Sequence, residues 1–225
     1  MLNLVFLASA VVGWTALFKL VQWKWSLTTI STSYVVAIVH GLFGSRVSEY
    51  AIYTEKLWRI EKFGEDNTVL QDTILTVSLG YFIDDFVICL IIKETVVIKV
   101  HHFLACVIFA GTLSESYSGP ETVVCLWYGE FTNVFCNLRY FFQNQDRFRG
   151  STVAFVNDVF FAVGFLFMRF VVGTYVIYYI LTLGKSLPVV QVGSILFTGV
   201  NLSMGKIIVL ESLKVLFPSS KPKTS

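Results

Sequence analysis

Two adjacent histidines, His101 and His102, lie inside an apolar stretch and are the side chains best suited to chemistry. An imidazole has an unperturbed pKa of about 6.5, so it exchanges protons near neutral pH. Neighbouring residues of a helix point about 100° apart, so one ring can face a cavity while a second group holds the other. A carboxylate such as Asp84 or Asp85 would fix the tautomer of a nearby imidazole. This pattern indicates a general base or a nucleophile in a dry site.

The two aspartates have different expected surroundings. Tyr81 and Asp85 are four residues apart, so on a helix they share a face and are able to hydrogen-bond. Asp84 is turned about 100° from Asp85. Only one of the two carboxylates therefore points toward the centre of a helix bundle, and the spacing leaves open which one.

Further polar residues interrupt other apolar stretches, where an ionisable group costs about 2.5–3.5 kcal/mol at bilayer depth. Those that we expect to line an internal lipid cavity are His40, Tyr81, Glu130, Asn133, Asn137, Asp158, Arg169 and Asn201. Glu130, Asn133 and Asn137 follow a helical spacing and form one stripe. Asp158 and Arg169 share a face but lie about 16 Å apart along the axis, so each needs a partner from another helix.

We expect no metal site and no cofactor, and a metal bound by His40, His101 and His102 with one aspartate is the less favoured alternative. Adjacent histidines do not share a helix face, and the sequence has no histidine pair at a spacing of four residues. The four cysteines form no C-x-x-C motif and lie in apolar stretches, so we expect them to be packing residues.

The elements that position these groups are apolar and long. Of 225 residues, 55% are hydrophobic and 14% are charged, and the net charge is +2 with scattered basic residues. This composition excludes an ordinary globular domain and shows no nucleic-acid footprint. We predict an all-α polytopic membrane protein with about seven transmembrane helices. The expected spans are 2–20, 27–44, 68–92, 96–113, 120–142, 152–183 and 189–217.

The basic residues between the spans predict the orientation. Ten lie on one side: Lys19, Lys24, Lys93, Lys99, Arg139, Arg147, Arg149, Lys214, Lys221 and Lys223. Five lie on the other: Arg46, Lys56, Arg59, Lys62 and Lys185. The expected arrangement places the N-terminus in the lumen or outside and the C-terminus in the cytosol.

Two segments outside the predicted spans have features that bear on the topology and the location of the protein. Residues 46–67 form the one sizeable lumenal connection, which is either a short interfacial helix or a solvated loop. Lys221 and Lys223 resemble a dilysine retrieval signal, so we expect the endoplasmic reticulum as the location and keep the plasma membrane as the alternative.

Several short segments, taken in order, resemble the TLC domain. That family is named for the translocation-associated membrane protein, the yeast longevity-assurance ceramide synthase and the CLN8 protein. The matching segments are Val-His-Gly at 39–41, SLGYFIDD at 78–85, VHHF at 100–103, GEFTN at 129–133, LRYF at 138–141 and FMR at 167–169. Within the family, the chain looks most like the small TLC domain-containing proteins. The resemblance divides the chain into an N-terminal transmembrane helix and connector at 1–29, a TLC domain at 30–215 and a polar cytosolic tail at 216–225.

The resemblance implies a six-helix barrel around a lipid-sized cavity open to the membrane, with the N-terminal helix added. In the ceramide synthases of this family, the paired histidines transfer an acyl group from acyl-coenzyme A to a sphingoid base. His101 and His102 occupy that motif, and Glu130 and Asn133 stand near the place of the later acidic segment, shifted by about one residue.

Three functions follow from these observations. The first is binding of a membrane lipid or acyl chain in the bundle, in the service of membrane lipid homeostasis. The second is lipid acyl transfer by His101 and His102, with Asp84 or Asp85 as orienting groups and acyl-coenzyme A as a co-substrate. The third is a transporter or proton-coupled carrier that uses the same groups as a relay. The sequence does not decide whether the protein is an enzyme, and it predicts no oligomeric state.

Overall fold

The computed structural model describes residues 2–216, with side chains up to residue 210, and this part of the chain consists of seven helices and their connections. The helices are α1 (Leu4–Trp25), α2 (Thr29–Glu55), α3 (Val69–Ile91), α4 (Val96–Glu115), α5 (Gly119–Asn144), α6 (Thr152–Leu183) and α7 (Pro188–Leu216). The all-α polytopic architecture predicted from the sequence is confirmed.

Short polar residues determine where most of these helices begin. The side chains of Asn3, Thr28, Thr68, Thr95 and Ser151 each accept a hydrogen bond from a backbone N–H three residues later. Such caps satisfy N–H groups that have no partner inside the helix. The starts of α1, α2, α3, α4 and α6 are therefore encoded locally.

Five of the seven helices are long and apolar enough to cross a bilayer, namely α1, α3, α4, α6 and α7. Their outward surfaces expose large apolar side chains such as Trp23, Phe160 and Ile195. Lipid tails are the solvent that such a surface requires. The protein is therefore an integral, multi-pass membrane protein.

The remaining two helices, α2 and α5, are more polar, and they pack against each other more extensively than any other pair. Gly41 and Gly44 allow this close approach, because a Cβ at these positions would lie 3.0 Å from Val134 and 3.1 Å from Glu130. Glu130, the first residue of the polar stripe of α5, is thus covered by α2.

Helix α2 is longer than the expected span at 27–44, and this is the largest difference in element bounds. It continues to Glu55, so the first part of the predicted connection at 46–67 is helix. A single 3₁₀ turn, Ile60–Lys62, follows it. The backbone N–H of Gly64 donates to both carboxylate oxygens of Glu121, at 3.2 and 3.1 Å, which ties this connection to the start of α5. The predicted retrieval signal at Lys221 and Lys223 lies outside the described residues.

Helix α6 changes its winding in the middle. Its first part, Thr152–Leu166, is α-helical, the segment Phe167–Val172 is a π-helix, and Gly173–Leu183 is again α-helical. A π segment adds a residue to the turn and is frequent at functional sites. Here it carries Arg169, whose side chain is buried.

Candidate functional site

A histidine–aspartate pair joins α4 to α3 in the interior. Nε2 of His102 lies 3.2 Å from Oδ2 of Asp85, and both side chains are largely buried. The other carboxylate oxygen of Asp85 accepts a hydrogen bond from the hydroxyl of Ser33 on α2, at 3.2 Å. Three helices therefore fix this imidazole and this carboxylate.

His101 occupies a different environment from its neighbour. Its ring stands edge-on to the ring of His102, with centroids 5.3 Å apart, and edge-on to Phe197 of α7 at 5.0 Å. Its Nδ1 atom is buried and has no hydrogen-bond partner within the described residues. The two rings diverge as adjacent helical positions require, and His101 is the one without a carboxylate partner.

A second pair, His40 and Glu130, lies between α2 and α5. Nδ1 of His40 is 3.3 Å from Oε2 of Glu130, and the histidine is completely buried. The His40 ring stacks on Tyr81, with centroids 3.8 Å apart and planes within 10°. The amide of Asn133 donates to the second oxygen of Glu130, at 3.2 Å. The pair is enclosed by aromatic rings.

Arg169 brings a cation into the same interior. Its Nη2 donates to the carbonyl of Gly129 on α5 at 2.8 Å, and its Nη1 reaches the side-chain oxygen of Asn201 on α7 at 3.5 Å. The guanidinium also lies near the rings of Tyr128 and Phe165, at 6.0 and 5.7 Å. Its Nε is buried with no partner among the described residues.

Two partly open cavities in the helix bundle border these groups. The first, of about 70 Å³, is mainly apolar and is lined by Phe82, Ile108, Phe109, Leu126 and Phe197, with Glu130, Arg169 and Asn201 as polar members. The second, of about 170 Å³, is lined by Tyr81, Asp85, His102, Asn133, Asn137 and Arg169. His101 and Arg169 lie in the walls of both cavities.

Six of the eight residues expected to line a lipid cavity lie in the walls of the two cavities, whereas His40 and Asp158, and also the candidate orienting residue Asp84, lie elsewhere. His40 sits behind the wall, where it contacts Glu130. Asp84 faces α1 and accepts a hydrogen bond of 2.6 Å from Thr15. Asp158 pairs with Arg139 of α5, at 3.3 Å, and is partly exposed. The inward-facing member of the two adjacent aspartates is therefore Asp85.

Some residues of the walls were not singled out from the sequence. Cys89 lies one turn after Asp85 and lines the second cavity, as does Ser33. Both belong to the walls of a polar site, although a cysteine or serine in an apolar stretch usually indicates packing. The spacing of four residues from Asp85 to Cys89 is the signal that would have grouped the thiol with the carboxylate.

The arrangement combines proton-exchanging, cationic and apolar surfaces. The oriented imidazole of His102 can accept a proton, and the buried guanidinium of Arg169 can bind an oxygen anion or a carbonyl. The aromatic and aliphatic walls suit an alkyl chain. The interior can therefore hold a molecule with one polar end and an apolar remainder.

Comparison with known protein families agrees with the motifs read from the sequence. A family model described as the TLC domain matches residues 20–215. The match covers most of the chain, and it begins inside α1, before residue 30. The chain belongs to the TLC-domain family.

Proposed function

We propose that the protein binds a membrane lipid inside its helix bundle and acts in membrane lipid homeostasis. The observation that carries this proposal is the position of Arg169, which lies in the walls of both cavities and is largely withdrawn from solvent. A lipid headgroup or ester carbonyl would bind there, and its acyl chain would lie along the apolar wall.

The donors of Arg169 support a ligand that accepts hydrogen bonds. Among the described residues, Nε has no partner and Nη1 has only the long contact to Asn201. Buried donors normally have acceptors, and a guanidinium presents them in a fixed fork that matches phosphate or carboxylate oxygens. An oxygen-rich headgroup would complete this set.

The test is mass spectrometry of lipids that copurify with the protein in mild detergent. We expect Arg169→Gln to lower the amount of bound lipid at least fivefold. Arg139→Gln is the matched control, because this arginine pairs with Asp158 and is absent from both described cavity walls. A second variant, Ser194→Phe, adds a ring to the wall of the first cavity and keeps Arg169.

The outcome is decided by the two cavity variants together. Loss of lipid from Arg169→Gln and Ser194→Phe, with wild-type amounts in Arg139→Gln, supports the proposal. Wild-type lipid content in a folded Ser194→Phe protein contradicts it, whatever the arginine variant does.

A second candidate function is acyl transfer, and the pairing of His102 with Asp85 favours it. In this reaction, the amine of a lipid acceptor attacks the thioester carbonyl of an acyl-coenzyme A. A carbon–nitrogen bond forms and the carbon–sulfur bond breaks. His102, oriented by Asp85, takes the proton from the amine and passes it to the departing thiolate.

This candidate makes a direct prediction. Purified protein should convert a labelled acyl-coenzyme A and a sphingoid base to an amide, and both His101→Ala and His102→Ala should reduce the rate at least 100-fold. Cys136→Ser is the control, since this residue lines the second cavity without belonging to the pair. Equal rates in wild type and both histidine variants would eliminate the candidate.

The proposal also includes the cellular location of the protein. We expect the full-length protein in the endoplasmic reticulum, and microscopy with organelle markers distinguishes this location from the plasma membrane.

A further inference from the structure

Three side chains with metal-binding chemistry converge between α3 and α4. Asp85 and Cys89 are one turn apart on α3, and His102 faces them from α4. A carboxylate oxygen, the thiol sulfur and an imidazole nitrogen all lie within 4.8 Å of one another. We propose that these three residues bind a divalent transition-metal ion, with zinc as the best match.

The ligand types and separations fit that ion. Zinc binds sulfur at about 2.3 Å and nitrogen or oxygen at about 2.0–2.2 Å, usually in a tetrahedron. Two ligands of such a tetrahedron are about 3.3–3.8 Å apart. The 3.2 Å between Nε2 of His102 and Oδ2 of Asp85 is close to this separation. The sulfur of Cys89 lies within 4.8 Å of a carboxylate oxygen and an imidazole nitrogen of the set, so coordination requires it to move closer.

The charges of the set suit a low-dielectric interior. Cysteine binds zinc as a thiolate and releases its proton when the metal enters. The thiolate and the carboxylate then balance the two charges of the cation, and the imidazole is neutral. The site as a whole carries no net charge, which limits the cost of placing an ion at membrane depth.

Outer contacts hold two of the ligands in place. The Ser33 hydroxyl donates to Oδ1 of Asp85, so Oδ2 remains the oxygen for the metal. The His102 ring is flanked by Phe82 and His101, with centroids at 5.7 and 5.3 Å. Hydrogen bonds to a ligating carboxylate are a regular part of metal sites.

The second cavity supplies both an open position and an access route. It is lined by all three ligands, and its wall also includes Glu94 from the connection between α3 and α4. A site with three protein ligands leaves a fourth position for water or for a ligand oxygen. Glu94 adds an acidic side chain to this wall, and Arg169 adds a basic one.

The prediction from sequence missed this arrangement because it weighed the histidines and the cysteines separately and did not combine one of each with an aspartate. No two histidines contribute here. The ligands are one aspartate, one cysteine and one histidine, and the packing of α3 against α4 brings them together.

The experiment uses the full-length protein in detergent, stripped with a chelator and then titrated with Co²⁺ as a spectroscopic substitute for Zn²⁺. We expect one equivalent to bind and to produce a thiolate-to-cobalt charge-transfer absorption. Cys89→Ser should abolish this band and weaken Zn²⁺ binding about 100-fold or more. Cys136→Ser, a cysteine of the same cavity wall outside the trio, should keep both.

Two further measurements keep the proposal testable if the Cys89→Ser variant fails to fold. Ser33→Ala leaves all three ligands and should weaken Zn²⁺ binding about tenfold. Zn²⁺ should also raise the unfolding temperature of the wild type. Absence of a stoichiometric ion and of any such shift in wild type overturns the proposal, as does a charge-transfer band that survives in folded Cys89→Ser. These measurements need no lipid, so their failure would leave the lipid-binding proposal standing.

Discussion

At the scale of residues, three pairs of ionisable side chains join neighbouring helices. His40 meets Glu130 across α2 and α5, His102 meets Asp85 across α4 and α3, and Arg139 meets Asp158 across α5 and α6. Within a bilayer, no water solvates an unpaired charge, so separating such a pair is costly. Each pair therefore also fixes the relative position of two helices.

The His40–Glu130 pair makes a quantitative prediction. His40→Phe keeps a ring against Tyr81 but leaves the Glu130 carboxylate without its partner, and we expect a loss of about 3–5 kcal/mol of unfolding free energy. Adding Glu130→Gln removes the stranded charge and should restore part of that loss. Reversible unfolding in detergent, analysed as a double-mutant cycle, measures the coupling. Additive effects of the two changes would show that the pair does not interact.

Residue spacing predicted some of these partners and not others. It indicated that Asp158 and Arg169 need partners on other helices, and the structure shows Arg139 for the first and Gly129 with Asn201 for the second. It did not identify those partners, because spacing along one helix carries no information on which helix lies opposite. The same limit left Asp84 and Asp85 unresolved.

At the scale of elements, α1 is held to α3 through a small-residue contact. A Cβ on Gly80 would lie 2.7 Å from the Cβ of Ala10 and 3.0 Å from the α1 backbone. The backbone of α1 cannot move aside as the end of a flexible side chain can. The absence of a Cβ at Gly80 therefore determines how closely the two helices approach each other.

We therefore expect Gly80→Ala to lower the unfolding free energy by roughly 1–3 kcal/mol through forced separation of α1 and α3. Gly199→Ala is the control, because a Cβ there meets nothing within 4 Å and only increases helix propensity. Thermal unfolding in detergent compares them, and equal stability of the two variants would contradict the role given to Gly80.

Apolar runs predicted the seven helices well, since length and hydropathy are local properties. Two features depended on tertiary context. Helix α2 continues to Glu55, beyond the apolar run from which the end of the span was predicted, and the π segment of α6 leaves no periodicity that a sequence pattern reveals. Arg169, inside that segment, was predicted as a site residue because it is a charged residue in an apolar stretch. Its place in a π-helix could not be predicted.

At the scale of the whole molecule, the bias of basic residues predicts a lumenal or external N-terminus and a cytosolic C-terminus. A glycosylation acceptor fused before residue 1 should be modified, whereas the same acceptor fused after residue 225 should stay unmodified. The gel mobility of the two fusions gives the result. The reverse pattern would invert the assignment of every connection.

The close contact between α2 and α5 has a consequence for biogenesis. Both helices are long enough to cross a bilayer but are less apolar than the five other helices, and they pack against each other more extensively than any other pair. During synthesis, α2 leaves the ribosome well before α5, which begins only at Gly119. We therefore expect α2 to integrate less readily on its own than the five other helices, and to be stabilised in the bilayer once α5 packs against it.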